Sequence, residues 1–307
     1  MSDTADSLER FLLRNAPVRG EIVSLDTAWR EVVDRHDLPA CVRDRLGELA
    51  AAALLLAATL KFDGALVLQI HGDGPVALLV VECDARGRFR ATVKLREDVP
   101  VPAKATLAEL VNTHGRGRFV VTLEARHGED GIQSYQGIVP FEGETVAEVL
   151  EHYMSRSEQV PTRLWLAADG SRASGLLLQR LPDEGGTPGA AAHDTDGWER
   201  LCHLADTLRS SELLELPPAT VLHRLFWQES LHGFDRRECR FACRCSRSRV
   251  ASMLRMLGRD EVDSILAERG SIEVRCEFCN LGYIFDPVDA AGLFTAGPAH
   301  AAPGQSQ

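Results

Sequence analysis

No stretch of this sequence stays apolar for long enough to cross a bilayer. The longest such run, residues 49–60, covers twelve positions, against about 20 for a membrane-spanning helix. Basic residues are in deficit, with 34 Lys plus Arg against 45 Asp plus Glu and a net charge of −11. Nucleic-acid binders and membrane-surface proteins usually carry the opposite excess, so neither partner is expected for the chain as a whole. The opening Met-Ser-Asp-Thr-Ala-Asp lacks the charged-then-apolar pattern of a secretory leader, which points to a cytoplasmic protein. Also missing are a Gly-x4-Gly-Lys-Ser/Thr phosphate loop, a Gly-x-Ser-x-Gly elbow and any internal repeat. An ATP-driven machine and a serine hydrolase have no support, and a non-enzyme is expected.

What is present is an ordinary folded composition, 45% hydrophobic and 26% charged over 307 residues, long enough for about two domains. Residues 1–182 read as one α+β core domain. A buried helix is expected over 46–62, and a hairpin over 65–71 and 76–83 about Gly-Asp-Gly-Pro. Further strands are expected over 89–95, 119–125, 132–141, 162–168 and 176–181, with helices over 107–111 and 145–155. Strands and helices cluster instead of alternating, which favours α+β over a doubly wound sheet. Residues 183–196 are rich in Gly, Ala, Asp and Pro and read as the clearest flexible stretch. Three short amphipathic helices, 198–208, 211–216 and 219–231, complete a linker over 183–233; they hold little core of their own and need a neighbour. A compact module over 234–294 follows, then a tail over 295–307 expected to be disordered.

The chemistry is concentrated in cysteine. In a reducing compartment eight cysteines are thiols or metal ligands before they are structural disulfides. Four form two close pairs, Cys243-Arg-Cys245 and Cys276-Glu-Phe-Cys279, with thirty residues between them. Four thiolates make the tetrahedral shell that Zn²⁺ prefers, so one zinc per chain is expected at Cys243, Cys245, Cys276 and Cys279. Residues 236–259 hold eight Arg and one acidic residue, and 260–289 hold eight acidic residues and two Arg. Guanidinium groups beside the site would offset its net −2 charge. A module this small buries little core, and structural zinc contributes about 10–16 kcal/mol of apparent stability, so the metal-free module should be largely unfolded. Each cysteine pair is close enough to form its own disulfide. The residues alone leave a reversible redox switch and a permanently closed zinc knuckle both open.

The run Phe241-Ala-Cys-Arg-Cys-Ser-Arg, then Asp263-Ser-Ile-Leu-Ala-Glu, Cys276-Glu-Phe-Cys-Asn and Tyr283-Ile-Phe, closely resembles the redox-regulated 33 kDa heat-shock chaperones of bacteria. Tyr135-Gln-Gly-Ile-Val, Tyr153-Met-Ser-Arg-Ser-Glu-Gln-Val-Pro-Thr and Gly175-Leu-Leu-Leu-Gln-Arg-Leu-Pro agree independently with that family's core domain, and the likeness covers about residues 8–294. It implies an ATP-independent holdase, inactive when reduced and zinc-bound. Oxidation would form Cys243–Cys245 and Cys276–Cys279 disulfides, expel zinc, unfold the module and the linker, and expose surface for unfolding client proteins. The active form would be a homodimer.

Other residues fit plainer roles. Cys239 lies four before Cys243, outside the usual family pattern, and reads as a bystander thiol, the alternatives being exchange into the zinc shell or off-pathway disulfides. Cys41, Cys83 and Cys202 read as packing residues, and His203, His223 and His232 as structural or surface groups. Ser157-Glu158-Gln159 reads as a helix end and His114-Gly-Arg-Gly-Arg-Phe as a turn. Two rivals remain: a zinc-ribbon-type nucleic-acid-binding protein using Arg236 to Arg259, and a disulfide oxidoreductase using Cys276 and Cys279.

Overall fold

A computed structural model describes residues 6–14, 16–59, 64–127, 131–182, 196–234 and 236–295. Its contacts divide the chain into two units, residues 1–242 and 243–307. Both the Gly/Ala stretch 183–195 and the tail from 296 lie outside the described residues. Among the described residues no helix is long and apolar enough to cross a membrane.

The first unit is α+β, as expected. It opens with strands β1 (Ser7–Leu13) and β2 (Val18–Leu25), the short helix α1 (Thr27–Val33) and the twenty-residue helix α2 (Ala40–Thr59). Strands β3 (Gly64–His71), β4 (Val76–Asp84) and β5 (Arg88–Leu95) form the expected meander, followed by α3 (Leu107–Val111), β6 (Arg118–His127) and β7 (Gly131–Pro140). Helix α4 (Val146–Tyr153) does not run on to 155 as an α-helix; the chain widens into one π-turn, Met154–Glu158. That turn ends at Gln159 in the left-handed region, φ 56°, so the Ser157-Glu158-Gln159 motif is a helix terminator. Strands β8 (Thr162–Ala168) and β9 (Ala173–Arg180) complete the core.

Two six-stranded sheets result. One has the order β12-β5-β4-β3-β6-β7, where β12 is Arg240–Phe241, parallel to β5. The other runs β10-β1-β2-β9-β8, where β10 is Leu231–Gly233, and β11 (Arg237–Glu238) also pairs with β1. Helix α2 packs on strands of both. It is buried on nearly every side from Leu46 to Thr59, as its unbroken Leu/Ala run dictates, because a helix apolar all round must be enclosed. Gly47 permits the close approach: a Cβ there would lie 2.5 Å from Ala168 Cβ and 2.9 Å from the Trp29 ring.

Strand alternation splits the second sheet between two cores. Leu8, Val23, Leu25 and Leu177 face α2. Phe11, Leu13, Val18, Ile22, Leu176 and Leu178 face the other way. That outer face is covered by α5 (Gly197–Ala205), α6 (Ser210–Glu215) and α7 (Pro218–Phe226), through Leu201, Ala205, Val221, Leu225 and Phe226. The short amphipathic helices thus find their neighbour in the sheet. The far end of the Phe11 ring lies over Gly20 of the next strand, where a Cβ would come within 2.1 Å of it, and the ring meets Phe226 with centroids 6.2 Å apart.

The second unit holds α8 (Arg247–Leu257), α9 (Arg259–Arg269), the hairpin β13 (Ile272–Arg275) and β14 (Gly282–Phe285), and α10 (Pro287–Thr295). Its core is small: Ala251, Leu254, Val262, Ile272, Phe285, Ala290 and Leu293. So few buried side chains contribute little hydrophobic stability.

Phe226→Ala removes the ring that anchors α7 on the sheet and is expected to cost about 3–5 kcal/mol of local stability. Hydrogen exchange read peptide by peptide checks this. Protection should fall across 197–226 and hold in α2; unchanged exchange in 197–226 would remove Phe226 as the anchor.

Candidate metal and redox centre

The four paired cysteines come together in the second unit. Cys243 and Cys245 sit on the segment before α8, whose first turn is capped by Ser246: its Oγ accepts the Arg249 N–H at 3.2 Å. Cys276 and Cys279 lie in the β13–β14 turn. There the Cys276 N–H donates to the Leu281 carbonyl (3.0 Å) and the Asn280 N–H to the Cys276 carbonyl (2.8 Å). Asn280 closes the turn at φ 59°, a conformation that Asn tolerates better than most residues.

All four Sγ atoms lie within 4.8 Å of one another. The closest contacts run between the two pairs, with Cys243 to Cys276 at 3.6 Å and Cys245 to Cys279 at 3.3 Å. Four thiolates about 2.3 Å from a tetrahedral ion stand about 3.8 Å apart, so the cluster has the size and donor set of a tetrahedral thiolate site. Each half is polarised by its own turn. Cys243 accepts a hydrogen bond from the Cys245 amide, Cys276 from the Phe278 and Cys279 amides, and Cys279 from the Leu281 amide. Cys245 accepts the Tyr283 hydroxyl at 3.1 Å.

These contacts divide the protons unevenly. Desolvation pulls Cys243 upward, but the Cys245 amide and the neighbouring thiols outweigh it and bring Cys243 down to about 7. Desolvation, with a thiol–sulfur hydrogen bond to Cys243, holds Cys276 above its ordinary value. Cys279 is pushed up strongly by desolvation and by the bonds it makes to Cys245 and Cys243. Charges this close cannot accumulate without a cation among them.

The expected arginine shell is not what perturbs these thiols. The main influences are backbone amides, the other sulfurs and burial. Several of the basic residues have partners of their own: Arg236 with Glu9, Arg237 with the Ala85 carbonyl, and Arg259 with Asp263. Arg247 clamps the start of α8, donating to the Ile284 carbonyl and to Asp289, both at 2.7 Å, with its guanidinium 4.3 Å from the Phe285 ring centre.

The remaining cysteines lie apart from the cluster. Cys239 is 1% exposed within the core of the first unit, where desolvation pushes its thiol up to about 12. Cys83 is fully buried with its S–H toward the Ala53 carbonyl (3.2 Å), and Cys202 is raised to about 11, chiefly by burial. Cys41 lies near the Pro102 carbonyl (3.4 Å). Among the described residues, Cys243, Cys245, Cys276 and Cys279 form the one group of His, Cys, Asp and Glu able to hold a metal, so His203, His223 and His232 do not join it. Tyr283 was visible in the Tyr-Ile-Phe run, but nothing in its spacing from Cys245 announced their hydrogen bond.

The family model described as "Hsp33 protein" matches residues 6–286. This chain belongs to the Hsp33 family. The chain is 49% identical to the 33 kDa chaperonin of Methylobacillus flagellatus, over 95% of each chain, and 47% identical to that of Chromobacterium violaceum, over 94% of each. The crystal structure of the 33 kDa chaperonin of Thermotoga maritima superposes with a TM-score of 0.76 at 22% identity, covering 94% of this chain and 97% of that one. That last likeness shows the shared fold. As an Hsp33-family member the chain is a chaperone.

Cobalt(II), a spectroscopic stand-in for zinc, is expected to give sulfur-to-metal charge-transfer absorption saturating at one equivalent in the reduced Hsp33 chain. Cys276→Ser should weaken binding by at least tenfold. An unchanged titration would take Cys276 out of the ligand set.

Proposed function

We propose that this chain is a redox-regulated, ATP-independent holdase. Reduced and zinc-bound it is inactive; oxidised and zinc-free it captures unfolding proteins in the cytoplasm and associates as a homodimer. The observation that carries this reading is the convergence of four sulfurs within 4.8 Å in a unit whose buried core is only seven side chains.

Cys243, Cys245, Cys276 and Cys279 would hold the zinc. Bound there, it would supply the positive charge that lets four thiolates coexist and tie the β13–β14 turn to the segment before α8. Oxidation removes the ligands. Two thiolates and one peroxide, with two protons, give one disulfide and two waters, so two peroxides consume all four. The pairs we assign are Cys243–Cys245 and Cys276–Cys279. Both remain close in an unfolding chain, whereas partners from different pairs must close a loop of more than thirty residues, at an entropic cost that grows with loop length.

The regulatory linker is residues 183–233, and what it hides is the outer face of the second sheet. Phe11, Ile22, Leu176 and Leu178 lie under α5–α7, and lifting those helices bares a contiguous apolar surface of the kind that binds unfolded chains. Residues 234–242, grouped with the redox module on sequence, pack in the first unit through β11 and β12. They serve as its tether, since β12 ends two residues before Cys243. The core domain is 1–182, the redox module extends to 294 and the tail is 295–307.

The decisive experiment is light scattering from a heat-unfolded client without nucleotide. The reduced, zinc-loaded chain should leave aggregation unchanged, and the peroxide-treated chain should suppress it as zinc leaves; equal suppression by both would end the redox reading. A second expectation follows from the raised thiols. Cys276 and Cys279 hold their protons in the metal-free cluster, so zinc uptake displaces at least two protons and acid opposes it. Apparent zinc affinity, measured against a competing chelator, should fall about 100-fold for each unit of pH lowered between 8 and 6. A flat profile would contradict this.

A further inference from the structure

Three of the four clustered sulfurs take hydrogen bonds from backbone amides that their own turns supply. Cys245 takes one from a side chain, the Tyr283 hydroxyl at 3.1 Å. We propose that Tyr283 is a positioning residue that acts as a brake on oxidation of Cys245. The proposal rests on the redox reading above.

The hairpin fixes this geometry. Tyr283 pairs with Val274 across β13–β14, and both side chains pack against the small core of the second unit. Its neighbour Ile284 alternates outward and is 59% exposed. Tyr283 thus reaches Cys245 from a ring held in place, and the contact needs no rearrangement.

The chemical consequence has a definite sign. An O–H donor draws on the sulfur lone pair that must attack the oxidant. In the step considered, the Cys245 thiolate attacks one oxygen of a peroxide, and the O–O bond breaks. Cys245 becomes a sulfenic acid, and the departing hydroxide takes a proton to give water. The Cys243 thiolate then attacks the Cys245 sulfur, forming the disulfide and expelling a second hydroxide, which also takes a proton. The two electrons lost by the sulfurs are those gained by the peroxide. Sulfur is an anion at the start and neutral at the end, so the Tyr283 hydrogen bond is strongest before the reaction and weakens along it. It stabilises the reduced state and slows departure from it. Metal-bound ligands are commonly tuned in this way by the groups that hydrogen-bond to them.

The test compares the zinc-loaded wild-type chain with Tyr283→Phe, which keeps the ring and removes the donor. Both are treated with dilute peroxide and quenched by alkylation, and the two disulfides are followed separately by peptide mass spectrometry. Tyr283→Phe should raise the rate of Cys243–Cys245 formation relative to Cys276–Cys279, within one sample, on the order of three- to tenfold. General loosening of the hairpin would instead speed both pairs, and Ile284→Ala supplies that control by altering the same strand on its exposed side. A ratio unchanged by Tyr283→Phe, or raised equally by Ile284→Ala, would overturn the proposal and leave the redox reading standing. A wild-type chain that holds no zinc when reduced would overturn both.

Discussion

Four sulfur atoms held within 4.8 Å of one another are a constraint that this chain cannot satisfy by packing alone. As thiolates they repel, and as thiols they offer only weak S–H hydrogen bonds. The polypeptide itself supplies amides to three sulfurs and a phenol to the fourth, and arginines do not feature among the main influences on the thiols. These neutral donors moderate the charge without cancelling it. A divalent cation would have the right sign and size to do so. With only seven buried apolar side chains in its core among the described residues, the second unit draws little stability from packing.

The first unit is built the opposite way. Helix α2 is enclosed between two sheets, and its core includes none of the four clustered cysteines. The outer layer of that unit is slighter, for α5–α7 are each nine residues or fewer. Helices this short are marginal by themselves in water and take their stability from the surface they cover. The proposed function uses this contrast, because a face covered only by short helices would not need to refold to become available.

Much of this was legible in the sequence. The Leu/Ala run announced α2, the Gly-Asp-Gly-Pro turn announced β3–β4, and the two cysteine pairs announced the cluster. What escaped has identifiable causes. Strands β1 and β2 carry Arg10, Arg19 and Glu21 among their apolar residues, which breaks the simple alternation. Glu21 is 2% exposed and its carboxyl is pushed up to about 7, mainly by desolvation, with Arg19 and Arg10 opposing the shift. Only pairing with β9 and the shelter of α2 make such a strand favourable, and both lie far away in sequence. Strands β10, β11 and β12 are two or three residues long and exist because edges elsewhere need partners. The charge asymmetry of 236–289 suggested an arginine shell, but composition cannot say which carboxylate or carbonyl each guanidinium will find.

Four of the eight cysteines stand outside the cluster. Burial lowers the reactivity of three of them, Cys83, Cys202 and Cys239. Cys83 is sealed against α2, Cys239 is raised to about 12 and Cys202 to about 11, each mainly by desolvation. A thiol so shifted is almost never a thiolate near neutral pH, and it is the thiolate that reacts with oxidants. Cys239 is the instructive case, since it stands only four residues before Cys243 in sequence. The strand β12 between them enters the sheet beside β5, and this places Cys239 in the core of the first unit while Cys243 begins the second. Sequence proximity would have made Cys239 a competitor for the cluster. The fold removes that competition by giving the two thiols different solvents.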